Sequence, residues 1–293
     1  MRNLDLDSLE VFKAVVDFGG VTKAAAHLNR VQSNITTRVK NLEERLGVAL
    51  FRKQGTRLVL SPEGRLLLVY AEQLLRIASE AESALKKGTP SGTLRIGTLE
   101  STAAARLPPF LSRYHEHFPD VHIDLVTGTT TALISRVHRY DVEAAFISEP
   151  FNGTDLETEE AFSEELVLIA PNRSEHIKSA KHLYGCTIIA FAVGCSYRRI
   201  LDDWLKACDV HPERVLELAS YHAIVACVAA GSGVAIVPRS VLKAMHAETL
   251  VKILELPSRV ARVRTHLVWP IGHRSVALDA LREEVCINRT GVE

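Results

Sequence analysis

Apolar positions recur at helical spacing through the first 46 residues. Leu9, Phe12 and Val16 predict a first helix that begins at Asp7, whose carboxylate caps while Glu10 reaches back as in a capping box, and that stops at Gly19-Gly20. A second helix follows at once, capped by Thr22, and a third runs from about Gln32 to Leu46, where Gly47 ends it. Ala24, Ala25, Leu28, Ile35, Val39 and Leu42 take the inward positions of this helix-turn-helix. The opposite face is amide, hydroxyl and guanidinium. Ala49-Leu50-Phe51 and Leu58-Val59-Leu60 then alternate as two short strands around Lys53-Gln54-Gly55-Thr56-Arg57, a hairpin wing.

From Ser61-Pro62-Glu63-Gly64, a cap followed by proline at the first helical position, no breaker appears until Gly88. The pattern predicts one helix of about 25 residues, about 38 Å long. Leu67, Tyr70, Leu74, Ile77, Ala81 and Ala84 alternate at spacings of three and four, the seam of a coiled coil, with Glu72, Arg76, Glu80 and Lys87 off it. Dimerisation along this helix is the expected use.

Gly88-Thr89-Pro90-Ser91-Gly92 reads as a hinge, and beyond it apolar strands alternate with helical patterns in the α/β manner. The expected strands are 94–97, 123–127, 144–147, 166–170, 187–191, 234–237 and 264–268. The expected helices are 103–115, 131–138, 197–207, 224–230 and 276–285.

Composition narrows the class. A length of 293 residues suggests about two domains. The N-terminus has no apolar signal region, and every apolar stretch is cut well before about 18 residues, so a cytoplasmic protein with no membrane partner is expected. The five cysteines (Cys186, Cys195, Cys208, Cys227, Cys286) form no CxxC pair and read as free thiols. Residues 1–60 hold ten Lys/Arg against six Asp/Glu, a net of +4, so with a total of zero the rest carries −4. Attraction for phosphate is therefore concentrated at one end.

That charge and the helix-turn-helix together indicate DNA. Gln32, Ser33, Asn34, Thr36, Thr37 and Arg38 occupy the first turns of the third helix, the part that enters a major groove, and Gln32 or Arg38 reading a base contributes roughly 1–3 kcal/mol of discrimination. Arg30 in the turn and Arg52, Lys53 and Arg57 in the wing are expected on phosphate.

The chain resembles the LysR-type transcriptional regulators over its full length. The likeness rests on residues 22–38, on Leu42-Glu43-Glu44-Arg45-Leu46-Gly47-Val48-Ala49-Leu50-Phe51-Arg52, on Leu60-Ser61-Pro62-Glu63-Gly64, and on Ala230-Gly231-Ser232-Gly233-Val234-Ala235-Ile236-Val237-Pro238. Within that family, residues 100–108, Cys195-Ser196-Tyr197-Arg198-Arg199 and Ser220-Tyr221-His222 resemble the subgroup containing a regulator of putrescine utilisation. The resemblance implies an α/β fold in four parts. These are a winged helix-turn-helix (1–60), a dimerising linker helix (61–87), a hinge (88–92) and a two-lobed effector domain like periplasmic binding proteins (93–293). Lobe I would cover about 93–162 and 266–293 and lobe II about 163–265. Assembly as a homodimer, and as a homotetramer in the family's usual form, is implied too. The expected partners are double-stranded promoter DNA, a small-molecule effector and further copies of the chain, with RNA polymerase a candidate.

In such lobes, ligands bind beyond the carboxyl ends of strands, where helix N-termini present free N–H groups. The candidate effector residues are Glu100, Ser101, Thr102, Thr127, Gly128, Thr129, Ser148, Cys195, Ser196, Tyr197, Arg198, Tyr221 and His222. Hydroxyls, helix amides and Arg198 suit an anion, whereas Glu100 favours an amine, and a ligand with both groups would use both. Each hydroxyl could equally be an ordinary helix cap.

Parts of the chain also fit other classes. Cys195, at a helix N-terminus beside Arg198 and Arg199, would have a lowered pKa and make a thiol-based redox sensor. The C-terminal two-thirds alone would read as a small-molecule-binding protein without regulatory role. An enzyme is not expected, for GxxxxGK[ST], GxSxG and HExxH are all absent. No cofactor or metal is expected; His115-Glu116-His117 reads as a solvated helix face.

Overall fold

Asp5 starts the first helix, its Oδ1 accepting from the Ser8 amide at 2.8 Å, so α1 (Leu6–Asp17) begins earlier than the sequence suggested. Asp7 does not cap, because its carboxylate is turned to Arg30 and Arg38. The computed structural model describes residues 4–54, 57–85, 89–174, 177 and 179–290, except for the side chains of 57, 80, 83–85 and 288–290. The expected wing-tip residues Gly55 and Thr56, the off-seam Lys87, and the side chains of Arg57, Glu80 and Ala84 lie outside that description. The chain divides into two compact units, 1–88 and 89–293.

In the first unit, α2 (Val21–His27) is capped by Gly20 rather than Thr22. The chain turns there at φ 153°, a conformation open to glycine. Helix α3 (Gln32–Leu46) ends at Gly47 in the left-handed region. Strands β1 (Phe51–Gln54) and β2 (Arg57–Leu60) pair antiparallel, Phe51 opposite Leu60 and Gln54 opposite Arg57. The first strand starts later than expected because Leu50 N and Phe51 N both donate to Glu43 Oε1, at 2.7 and 3.1 Å, which pins the preceding loop to α3. Leu9, Phe12, Leu42 and Leu50 form one core cluster with Ala71 of α4 (Pro62–Leu85), and Val11, Val15, Ala24, Ile35 and Val39 form another. Gly64 lets α4 pass the wing: a Cβ there would stand 2.1 Å from the Leu50 carbonyl oxygen.

Helix α4 uses two apolar faces. Leu67, Leu68, Ala71 and Leu75 pack inward, while Leu66, Val69, Tyr70, Leu74 and Ile77 are exposed. The exposed stripe thus runs through Leu66 rather than the expected Leu67.

The second unit contains β3 (Gly92–Thr98), α5 (Glu100–Ala105), α6 (Leu107–His117), β4 (Val121–Thr127), α7 (Thr130–His138), β5 (Ala144–Ser148) and β6 (Leu156–Ala170). A 3-10 turn at Ala180–Leu183 precedes β7 (Thr187–Ala190), α8 (Ser196–Ala207), β8 (Arg214–Glu217), α9 (Tyr221–Ala229) and β9 (Ala235–Pro238). Then come α10 (Arg239–Ala244), β10 (Lys252–Glu255), α11 (Ser258–Ala261), β11 (Arg262–Pro270) and α12 (Val276–Thr290). The single helix expected over 103–115 is two helices, because Pro108 and Pro109 sit in the first turn of a new one. Strands β8 and β10 were not expected; β8 has all four side chains exposed and so lacks an alternating pattern.

Strand β3 runs parallel to β4 and β5, and β11 pairs antiparallel with β5 and β6. Strand β6 is long. Its first part pairs with β11, from Leu156 opposite Pro270 to Glu165 opposite Arg262, and its last part pairs with β9 and β10. The chain therefore passes between two lobes along β6 and β11. Phe110, Tyr114, Phe146 and Leu281 fill the first lobe, and Leu201, Trp204, Ile224 and Val241 lie in the two clusters of the second.

Candidate functional site

Helical periodicity sorts α3 into two faces. Ile35, Val39 and Leu42 are buried, while Gln32, Ser33, Asn34, Thr36 and Thr37 are exposed and Arg38 is half-buried. Thr36 Oγ1 donates to its own helix, to Gln32 O at 3.0 Å. Arg30 Nη2 meets Asp7 at 2.8 Å, and Arg38 pairs with the same carboxylate. Arg52 and Lys53 stand exposed on β1.

The second candidate site is a cleft of about 330 Å³ between the lobes, built where strands end. Its walls come from Leu99, Glu100 and Ser101 after β3, Thr127, Gly128 and Thr129 after β4, and Phe191 and Ala192 after β7. Cys195, Ser196 and Tyr197 at the start of α8, Glu217 at the end of β8 with Leu218 and Ala219 after it, and Tyr221 at the start of α9 complete it. Four expected residues do not line it. Thr102 and the Ser148 side chain are buried behind it, His222 acts on Glu100 only through its charge, and Arg198 donates to the Phe191 carbonyl at 3.0 Å and pairs with Glu217. Leu99, Phe191, Ala192, Glu217, Leu218 and Ala219 were missed. Apolar residues carry no local signature of a ligand, and Glu217 belongs to the unrecognised β8.

The cleft is apolar on one side, where the rings of Phe191 and Tyr221 pack 4.8 Å apart. Its polar atoms are unevenly satisfied. Glu100 Oε1 accepts from the Tyr221 amide at 3.3 Å, whereas Oε2 is buried with no hydrogen-bond partner among the described residues. Burial holds the Glu100 carboxyl above its ordinary range, against the opposing pull of the Tyr221 amide and His222. The Tyr197 hydroxyl is buried beside Ser101 and Ser148 without a well-aligned hydrogen bond, and burial pushes it up to about 12, so it stays a neutral donor. No lysine or arginine appears among the described lining residues.

Ser196 ties the lobes together, its hydroxyl hydrogen-bonded to the Ser148 carbonyl at 2.7 Å and to the Thr130 hydroxyl at 2.8 Å. Thr131 N adds a bond to Gly194 O at 3.3 Å. The expectation of a lowered pKa at Cys195 is overturned. The residue does sit at the start of α8, but it is buried, and desolvation outweighs the helix amides and Arg198, so its pKa is raised. His117 faces Glu284 of α12, its Nδ1 2.5 Å from Oε1.

Comparison with known proteins fits this geometry. Residues 6–65 match the bacterial regulatory helix-turn-helix protein, lysR family, and residues 87–286 match the LysR substrate binding domain. The uncharacterized HTH-type transcriptional regulator YusT of Bacillus subtilis is 35% identical over 266 residues, covering 90% of this chain and 89% of its own. GltR of the same organism, also an HTH-type transcriptional regulator, is 34% identical with 90% of each covered. Among solved structures, full-length CbnR complexed with its target DNA superposes with a TM-score of 0.68 at 21% identity, covering 97% of this chain and 99% of that one. The chain belongs to the LysR family of helix-turn-helix transcriptional regulators. It is a DNA-binding regulator with an effector-binding domain, in a family of regulators rather than enzymes. No helix among the described residues is long and apolar enough to cross a membrane.

Proposed function

We propose that the chain binds promoter DNA by laying the first turns of α3 in a major groove. Gln32, Ser33, Asn34, Thr36 and Thr37 face the bases, and Arg30, Arg52, Lys53 and Arg57 meet flanking phosphates. It acts as a dimer paired along the exposed Leu66, Tyr70, Leu74 and Ile77 stripe of α4, and pairs of dimers form a tetramer. The lobes divide at about 93–162 with 266–293 against 163–265.

The cleft takes a small molecule bearing an amine, such as a diamine or an amino acid. The observation that carries this reading is the buried, unpartnered Glu100 Oε2 in a cleft whose described lining has no cationic side chain. An ammonium group supplies the missing partner, and a buried carboxylate without one is costly. The Phe191 and Tyr221 rings cover the apolar body, and Ser101, Thr129 and the start of α8 take remaining polar groups. Occupancy alters the angle between lobes and so the spacing of paired DNA-binding heads. Calorimetric titration of the full chain with amines, amino acids, dicarboxylates and aromatic acids tests this. Saturable binding confined to amine-bearing compounds is expected, and binding only of dicarboxylates or aromatic acids would overturn it.

A further inference from the structure

Helices α1, α4, α7 and α12 each begin on a side chain that accepts from the first turn. Asp5 Oδ1 takes the Ser8 amide at 2.8 Å, Ser61 Oγ the Gly64 amide at 2.8 Å, Thr129 Oγ1 the Ala132 amide at 3.4 Å and Ser275 Oγ the Leu278 amide at 3.1 Å. Helix α3 begins instead on Val31, which makes no side-chain cap and offers only its carbonyl, to Asn34 N at 3.0 Å and Ile35 N at 3.4 Å. Valine is among the poorest residues at this position, where serine, threonine, asparagine and aspartate lead.

Burial does not compensate. Val31 is 69% exposed, and no large apolar side chain described within residues 1–88 is more so. Neither apolar cluster of that unit includes it. Folding thus gains neither a cap nor a core contact from valine here, and a local rule broken without a gain in stability points to function.

Its position supplies the function. Val31 lines one concave surface with Ser33, Asn34 and Thr37, three of the side chains placed toward the bases. The backbone is extended there, at φ −74° and ψ 146°, and a β-branched side chain is stiff, so little freedom is lost when a partner covers it. In the major groove the apolar feature of a base edge is the thymine C5-methyl, whereas the other three bases are read through donors and acceptors. Phosphate offers an apolar side chain nothing, so a base edge is the contact that uses it.

We infer that Val31 is a specificity-determining residue whose methyl groups pack on the C5-methyl of a thymine. This rests on the reading that α3 enters the groove, and adds to it an apolar contact among polar ones.

The test begins with selection of a binding site by the full-length protein from a random duplex library. Each thymine of the selected duplex is then replaced in turn by deoxyuridine, which removes the C5-methyl and keeps every hydrogen-bonding atom, and affinity is followed by fluorescence anisotropy. One replacement per half-site should weaken wild-type binding by about fourfold, the value of one buried methyl-sized group. Val31→Ala should bind the thymine duplex more weakly by a similar factor and be indifferent to that replacement. Val31→Ser should be equally indifferent yet melt higher than wild type, because its hydroxyl caps α3. Discrimination lost in a more stable protein cannot come from unfolding. If the selected site holds no thymine, or if every replacement costs both variants as much as wild type, the inference is overturned. If Gln32→Ala, Ser33→Ala and Asn34→Ala all select the wild-type motif, the groove reading itself fails and this one falls with it; if they change the motif while Val31 shows no coupling to a methyl, this one alone falls.

Discussion

Arg30, Arg38 and Arg45 of the N-terminal unit each meet an aspartate in partly exposed ion pairs, whereas the interlobe cleft buries Glu100 with one oxygen unpartnered and no cation in its described lining. The first arrangement is complete without a ligand. Its charges are solvated, cheap to hold and free to exchange an aspartate for a phosphate as salt and DNA dictate. The second is incomplete as it stands, because a carboxyl pushed upward by burial gains its best partner only when something enters. A surface that reads a polyanion and a pocket that senses a small molecule thus place their electrostatic cost in different states, the pocket while empty and the surface hardly at all.

Breaking each unit separately gives the largest expected effect. A Cβ at Gly64 would stand 2.1 Å from the Leu50 carbonyl, and one at Gly233 would stand 2.4 Å from the Thr187 carbonyl. Each clash is with backbone, so Gly64→Ala and Gly233→Ala should each destabilise their own unit by about 3 kcal/mol. Denaturation followed by DNA binding and by ligand binding checks this. G64A should lose DNA affinity yet keep the ligand response, and G233A should lose the ligand response first.

Next in size is Glu100→Gln, expected to weaken an amine ligand roughly tenfold to a hundredfold in titration calorimetry while leaving ligand-free DNA binding unchanged. Acid should have a similar effect on the wild type. With the folded pKa of Glu100 raised above 4.5, its contribution to stability is present below that value and lost as pH rises through the folded pKa. Amine binding needs the ionised form and runs the other way. Affinity should therefore fall as pH drops through the raised pKa, and an amine that binds equally well on both sides would place the ammonium elsewhere.

Smaller still is Asp5→Ala, which removes the cap of α1 and should cost the N-terminal unit about 1 kcal/mol in urea denaturation. Arg45 holds the Asp5 carboxyl down to about 2, so this contribution is present above 3.8 and lost as pH falls through about 2. The weakest effect expected is at Cys195, whose buried thiol should be alkylated far more slowly than the exposed Cys286. Faster modification of Cys195, followed by mass spectrometry, would reopen a thiol-sensing role.

The two regions also differed in how far the sequence revealed them. The exposed face of α3 comes from one contiguous stretch, so the period of Ile35, Val39 and Leu42 alone orients Gln32, Ser33 and Asn34 outward. What it did not reveal was the long-range reach of Asp7 to Arg38, which joins the start of α1 to α3. The cleft gathers short pieces from residue 99 to residue 221, and the rule that ligands lie beyond strand ends located Glu100, Thr129, Tyr197 and Tyr221. It failed after β8, where Arg214, Val215, Leu216 and Glu217 are all exposed and show no alternation. It also failed at Cys195, where position on a helix was legible but burial was not.

Strands β6 and β11 stay hydrogen-bonded to each other from Leu156 to Glu165, with one irregularity of register between Thr265 and His266. Two lobes joined by such a ribbon are connected as by a leaf spring. The ladder resists stretching, while the irregularity gives it a soft point for bending and twist. If occupancy of the cleft turns the lobes as proposed, this ribbon is the element that must twist, and its stiffness would set how much of the binding energy becomes movement.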